Sequence, residues 1–169
     1  MSIYSIDTLI EETRRLAAEF RRSTGTMLPV SGEIARYDAC LHLQLTASKD
    51  RNTSFDAIGT GDREGLKIQI KSRVIGDAVK SGHRIGQLNM ESDWDRIVLS
   101  LMDNDFEPLE MYELSREKIE SMHSPDKKQT KRGVISVAKF KAMGDLVWQR
   151  EEKKNAMTEP ESGTDIDKD

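Results

Sequence analysis

Four polar residues in this chain are of types that, brought together, can cut a phosphodiester. Asp56 sits in the run Phe55-Asp56-Ala57, and Gln69 and Lys71 are two residues apart in Leu66-Lys67-Ile68-Gln69-Ile70-Lys71. Glu33 lies near the start of an earlier helical segment. Mg²⁺ takes oxygen ligands in octahedral geometry, commonly one or two carboxylates with waters and substrate phosphate. Asp56 is the natural anchor. The Gln69 side-chain carbonyl and the Ile70 backbone carbonyl are weaker donors, and Glu33 supplies a second carboxylate. The expected metal set is therefore Asp56, Gln69, Ile70 and Glu33, with Mg²⁺ or Mn²⁺ as the expected ion. Such an ion acidifies a bound water and neutralises charge developing on phosphate. Lys71 is placed to orient the attacking water or to stabilise transition-state charge.

These residues act together only if the elements around them do the positioning. Leu66 to Arg73 alternates strictly, with Leu66, Ile68 and Ile70 on one face and Lys67, Gln69 and Lys71 on the other. Thr53 to Ile58 reads as a shorter strand, and the cluster Gly59, Gly61, Asp62, Gly65 as the turn that pairs the two in a hairpin. That pairing sets Asp56, in the first strand, beside Gln69 and Lys71. Upstream, Ile6, Leu9, Ile10, Leu16, Ala17 and Phe20 recur at helical spacing from Ser5 to Arg22, with Arg14, Arg15, Glu19 and Arg22 on the polar side. Ser31 is a good N-cap for a second helix. Ala47 to Asn52 reads as a loop, as does Gly76 to Glu91. Asp95–Met102 is apolar enough for a central strand, and Asp103–Glu107 suits a hairpin loop into a strand at Leu109–Leu114. Helices are expected at Ser115–Met122 and Ser136–Gln149, the latter with Val137, Phe140, Met143 and Val147 inward. The expected order is α-α-β-β-β-β-α-α, an α/β (α+β) domain with a mixed four-stranded sheet flanked by helices.

Phe55-Asp56-Ala57 followed by Ile68-Gln69-Ile70-Lys71 resembles the D…(D/E/Q)-x-K core of the PD-(D/E)XK, or restriction-endonuclease-like, superfamily. Its glutamine variant is similar to Mrr-type restriction endonucleases. Gly32-Glu33-Ile34-Ala35 resembles the family's first helix. The stretch from Glu12 to Trp148 resembles small bacterial proteins assigned to that superfamily, with further matches at Arg84-Ile85-Gly86, Trp94-Asp95 and Leu101-Met102-Asp103. The resemblance implies a restriction-endonuclease-like fold, Mg²⁺-dependent hydrolysis of DNA, and catalytic roles for Asp56, Gln69, Lys71 and Glu33. The chain departs from the pattern in two places. Phe55 stands where the family has proline, and Gln69 removes one negative charge from the metal site. A catalytically silent module of the same fold, binding nucleic acid or a protein partner in a bacterial defence or DNA-processing system, is the second expectation.

Basic residues that could hold DNA phosphates are Arg73, Lys80, His83 and Arg84 in one segment, and Lys127, Lys128, Lys131 and Arg132 in another. Other chemistry is disfavoured. His42, His83 and His123 share no zinc-ligand spacing, and Cys40 and His42, two apart on a helix, do not face each other. Gly82 to Gly86 lacks the Lys-Ser/Thr of a nucleotide-binding loop, so no nucleotide cofactor is expected. The net charge of −4 resides in residues 151–169, which carry seven acids and three lysines; residues 1–150 hold 23 of each sign. The expected organisation is a domain over 1–150 and an acidic disordered tail over 151–169. One cysteine excludes a disulfide framework. No apolar run approaches the ~20 residues of a membrane helix, so a cytoplasmic protein is expected. A homodimer or an accessory protein partner stays open, since no interface is marked.

Overall fold

The structure, a computed structural model, describes residues 5–76, 83–86, 88–122 and 134–151. Two helices come first, α1 (Ile6–Thr24) and α2 (Ser31–Leu43). They are followed by β1 (Thr46–Ala47), β2 (Ala57–Ile58), a 3₁₀ turn (Gly61–Arg63), β3 (Lys67–Val74), β4 (Arg96–Met102) and β5 (Pro108–Ser115). Then come α3 (Arg116–Met122), α4 (Val137–Met143) and β6 (Asp145–Gln149). The six strands form one sheet in chain order, antiparallel throughout except for the parallel pair β3 and β4.

The sheet separates two apolar layers. Ile34, Ala35 and Ala39 of α2 pack with Ile68, Ile70, Val98 and Met111 on one side. On the other, Ile97, Leu99 and Leu101 meet Ile85, Trp94, Ile119 and Phe140. Burial on both faces explains why β4 is apolar from Ile97 to Met102 except at Ser100, whereas β3 alternates. The hairpin between β2 and β3 forms as expected, with Ala57 opposite Ile68. Its turn closes where a Cβ on Gly59 would strike the backbone of Arg63, so only glycine fits there.

Several expectations are corrected. The sheet has six strands, not four. β1 uses Ala47, which was expected to be loop. Only Ala57 and Ile58 of the expected Thr53–Ile58 strand pair as strand, so Asp56 immediately precedes β2 and does not lie within it. Upstream of it, Asp50 shapes a turn by accepting from the Asn52 N–H (2.9 Å). The N-cap of α2 is Val30, without a side-chain cap, and Ser31 is already helical. The expected helix at Ser136–Gln149 breaks at Gly144, where a Cβ would lie 2.9 Å from the Phe140 carbonyl oxygen and 3.1 Å from that of Glu113. The chain then reverses into β6, pairing Asp145 with Glu113 and Trp148 with Met111. α1 is also turned from its expected face. Arg14 is 4% exposed, whereas Ile6, Leu9, Leu16 and Phe20 lie in solvent.

Candidate functional site

Asp56 sits where the β2 ladder stops. Its N–H donates to the Ile68 carbonyl (2.8 Å), and its carbonyl accepts from the Ser48 N–H (2.9 Å) and from Arg36 Nε (3.2 Å). One residue short of the strand, the backbone can no longer meet the next donor on β3, and the side chain takes over. Asp56 Oδ2 accepts from the Ile70 N–H at 2.7 Å. Asp56 Oδ1 has no donor among the described residues. Because N–H and C=O of one strand residue point to the same edge, the Ile70 carbonyl faces the side on which Asp56 lies.

Gln69 follows Ile68, the partner of Ala57, and so lies across the ladder from Asp56. It is 9% exposed. Its Nε2 donates to the Ser54 carbonyl (2.6 Å), while Oε1 is buried without a hydrogen-bond partner. Native proteins rarely leave such an acceptor bare, so Oε1 is an acceptor that a water or an ion can meet. Lys71, on the same face of β3 as Gln69, is half-buried and has no ion-pair partner among the described residues. The fold thus gathers Asp56, Gln69 and Ile70, and places Lys71 along the same face.

Glu33 is held otherwise. It is exposed, and Arg51 grips it with both guanidinium nitrogens, Nη1 to Oε1 at 2.6 Å and Nη2 to Oε2 at 3.0 Å. That bond holds the Glu33 carboxyl below the usual carboxylate range. Among the described residues no group of three His, Cys, Asp or Glu side chains is arranged to hold a metal ion, so a carboxylate cluster with Glu33 is not assembled.

A cavity of about 300 Å³ opens beside Asp56, lined by Arg36, Ser48, Asp50, Arg51, Thr53, Phe55 and Asp56. Arg36 and Arg51 are the residues that sequence reasoning missed. Arg36 spans from α2 to the sheet edge, donating to the carbonyls of Ser48 and Asp56. Its only advance signal was its position one turn after Glu33.

Of the basic residues, Arg73 spends Nε on the Arg84 carbonyl (2.6 Å) and Nη1 on the Ser72 carbonyl (2.6 Å), and burial lowers its pKa. It ties the 83–86 segment to β3. His83 is half-buried and Arg84 exposed. Lys80, Lys127, Lys128, Lys131 and Arg132 lie outside the described residues, as does the tail beyond Glu151. Burial pushes the Cys40 thiol up, away from nucleophilic use. Trp94 is buried, with Nε1 donating to the Asn89 carbonyl (2.9 Å), and Trp148 stacks on His42 with ring centroids 4.3 Å apart. No family model matches the chain, and no curated protein is significantly similar to it.

Proposed function

We propose that this chain is a metal-dependent phosphodiester hydrolase acting on DNA, with Asp56, Gln69 and Lys71 as its working residues. The observation that carries the reading is the buried, unpartnered Gln69 Oε1 across the ladder from Asp56. Together with Asp56 Oδ1 and the Ile70 carbonyl it makes a set of oxygen donors suited to Mg²⁺, of which one is charged. When bound, the ion would neutralise phosphate charge and acidify a coordinated water. Asp56 is held for that task by the Ile70 N–H, which fixes one carboxylate oxygen and leaves the other open. Lys71, free of any carboxylate among the described residues, is available to steady the attacking water or the charge on the leaving oxygen. Arg84 is exposed and available to a phosphate. Supercoiled plasmid incubated with Mg²⁺ or Mn²⁺ tests this: wild type nicks or linearises it, while Asp56→Ala and Lys71→Ala do not. Equal background cleavage by all three proteins removes the catalytic claim.

The Glu33–Arg51 ion pair favours a second reading, a module of related design that binds nucleic acid without cutting it. Glu33 is then a surface carboxylate engaged by arginine and never a metal ligand. DNA binding that weakens with salt, with no turnover in either metal, selects this reading over the first.

A further inference from the structure

Taking an arginine out of water without a counter-charge is costly, and the cost grows with burial. Arg36 lies half-buried on α2 and has no carboxylate within ion-pair reach among the described residues. Its natural partner on the helix is Glu33, three residues earlier, but Arg51 occupies both oxygens of that carboxylate. What Arg36 bonds instead is neutral backbone. Its Nε donates to the Asp56 carbonyl (3.2 Å) and its Nη2 to the Ser48 carbonyl.

A guanidinium carries five N–H donors in a planar fork. The edge made by Nε and the nearer hydrogen of Nη2 serves the two carbonyls. The other edge, Nη1 with the second hydrogen of Nη2, has no acceptor among the described residues. It belongs to a side chain that lines the cavity of about 300 Å³ beside Asp56. Because the carbonyls already fix the plane of the fork, an anion that docks there orders little more of the chain. The open edge matches two oxygens of a phosphate. The other charged residues lining the cavity are Arg51, Asp50 and Asp56, so the formal charges cancel. Long-range attraction therefore does not gather anions here, and the directed fork of Arg36 decides what is held.

We propose that Arg36 is a phosphate-binding residue, whose open edge takes one backbone phosphate of a nucleic-acid strand laid across the cavity beside Asp56. This rests on the reading of the chain as a nucleic-acid binder, and needs neither metal nor turnover. A short labelled duplex, titrated by fluorescence anisotropy in EDTA over a salt series, tests it. Each phosphate neutralised contributes about 0.9 to the slope of log K against log salt. Arg36→Gln keeps an amide donor for a carbonyl but loses the charge, and lowers the slope by about 0.9. Arg36→Lys keeps the charge and gives up the fork, so it binds more weakly with the wild-type slope. Both variants disturb the bonds to Ser48 and Asp56, so a purely structural role would move the two slopes alike. A wild-type slope in Arg36→Gln, or an equal fall in both variants, overturns the proposal and leaves nucleic-acid binding standing. Wild type that binds no duplex at low salt overturns the nucleic-acid reading and the proposal with it. Modification by phenylglyoxal, read by peptide mass, checks the wild-type chain without a substitution. Duplex slows modification of Arg36 severalfold, and KCl at equal ionic strength does not. Arg36 that reacts equally with and without duplex overturns the proposal, as does Arg36 that fails to react in the free protein because its edge is closed.

Discussion

Arg14 and Asp38 meet as a paired fork between α1 and α2, Nη2 to Oδ1 at 2.9 Å and Nη1 to Oδ2 at 3.3 Å. Nη1 also donates to the carbonyl of Phe106, whose left-handed backbone (φ 62) turns that oxygen into the interior. Burial raises the Asp38 carboxyl above its usual range, more than the bond from Arg14 lowers it. The pair is therefore costly to desolvate and costlier to break. Asp38→Ala takes from a guanidinium only 5% exposed the carboxylate it bonds, leaving it Glu107 at 3.4 Å and Glu11 at 3.5 Å, and a loss of about 3 kcal/mol, the low end for a broken buried pair, is expected in urea unfolding. Arg14→Met combined with Asp38→Leu loses less than Asp38→Ala alone; a single variant as stable as wild type contradicts this account. A second test lies at Tyr37, whose hydroxyl donates to Asp7; this hydrogen bond, with burial, raises its pKa to about 12. A folded value above the unfolded one means that the bond's stabilisation is complete below ~10 and is lost as pH climbs through about 12. The phenolate absorbance should show a late-ionising tyrosine that Tyr37→Phe removes. The Arg14 position was not legible from spacing, because helical periodicity locates a stripe but not which edge of it the core takes.

At the scale of elements, strict alternation in β3 and the apolar run of β4 were readable because each pattern has one explanation. β1 was not, since two residues carry no periodicity; β2 was readable as the partner of β3, but with only the last two residues of the expected Thr53–Ile58 strand, and Arg36 reaches the carbonyls beside both from another element. β6 was hidden for a different reason. Val137, Phe140, Met143 and Val147 keep helical spacing across Gly144, where the lack of a Cβ lets the chain pass close to the Phe140 and Glu113 carbonyls as it leaves the helix. The candidate site was legible to the extent that it depends on alternation: Gln69 and Lys71 share a face as expected, whereas the capture of Glu33 by Arg51 has no local signature. The role of Arg36 predicts a local effect. Arg36→Ala removes the charged donors from the Ser48 and Asp56 carbonyls. At ~1.5 kcal/mol for a hydrogen bond to a charged group, the Ser48 amide, which donates to Asp56, should exchange with solvent about tenfold faster. The amides of β4 and β5 should keep their wild-type protection; uniform acceleration across the sheet would instead mean that Arg36 supports the whole fold.

Over the whole molecule, charge does not decide what the protein binds, because residues 1–150 balance and many of their bases are already occupied. Arg63 and Arg96 flank buried Glu113 at 2.6 and 2.7 Å, and Arg150 reaches Asp103 at 2.9 Å. An ion at Asp56 would therefore be felt mainly through its own site, which makes stability a direct readout of metal binding, separate from turnover. A ligand that binds only the folded state adds RT ln(1 + [L]/Kd), about 2.7 kcal/mol at a hundredfold excess over Kd. In a domain of this size each kcal/mol moves the melting point by about 2–4 °C, so saturating Mg²⁺ should raise it by roughly 5–10 °C. Ca²⁺, which takes the same oxygen donors with looser geometry, should do so as well. Asp56→Asn abolishes the rise, because it removes the one charged donor. Glu33→Gln leaves it intact if Arg51 keeps Glu33 out of the site, and diminishes it if the ion draws Glu33 away from Arg51. Melting curves of wild type that superimpose with and without Mg²⁺ would remove the metal from the site, and with it the hydrolytic reading, while leaving nucleic-acid binding to be judged by its salt dependence.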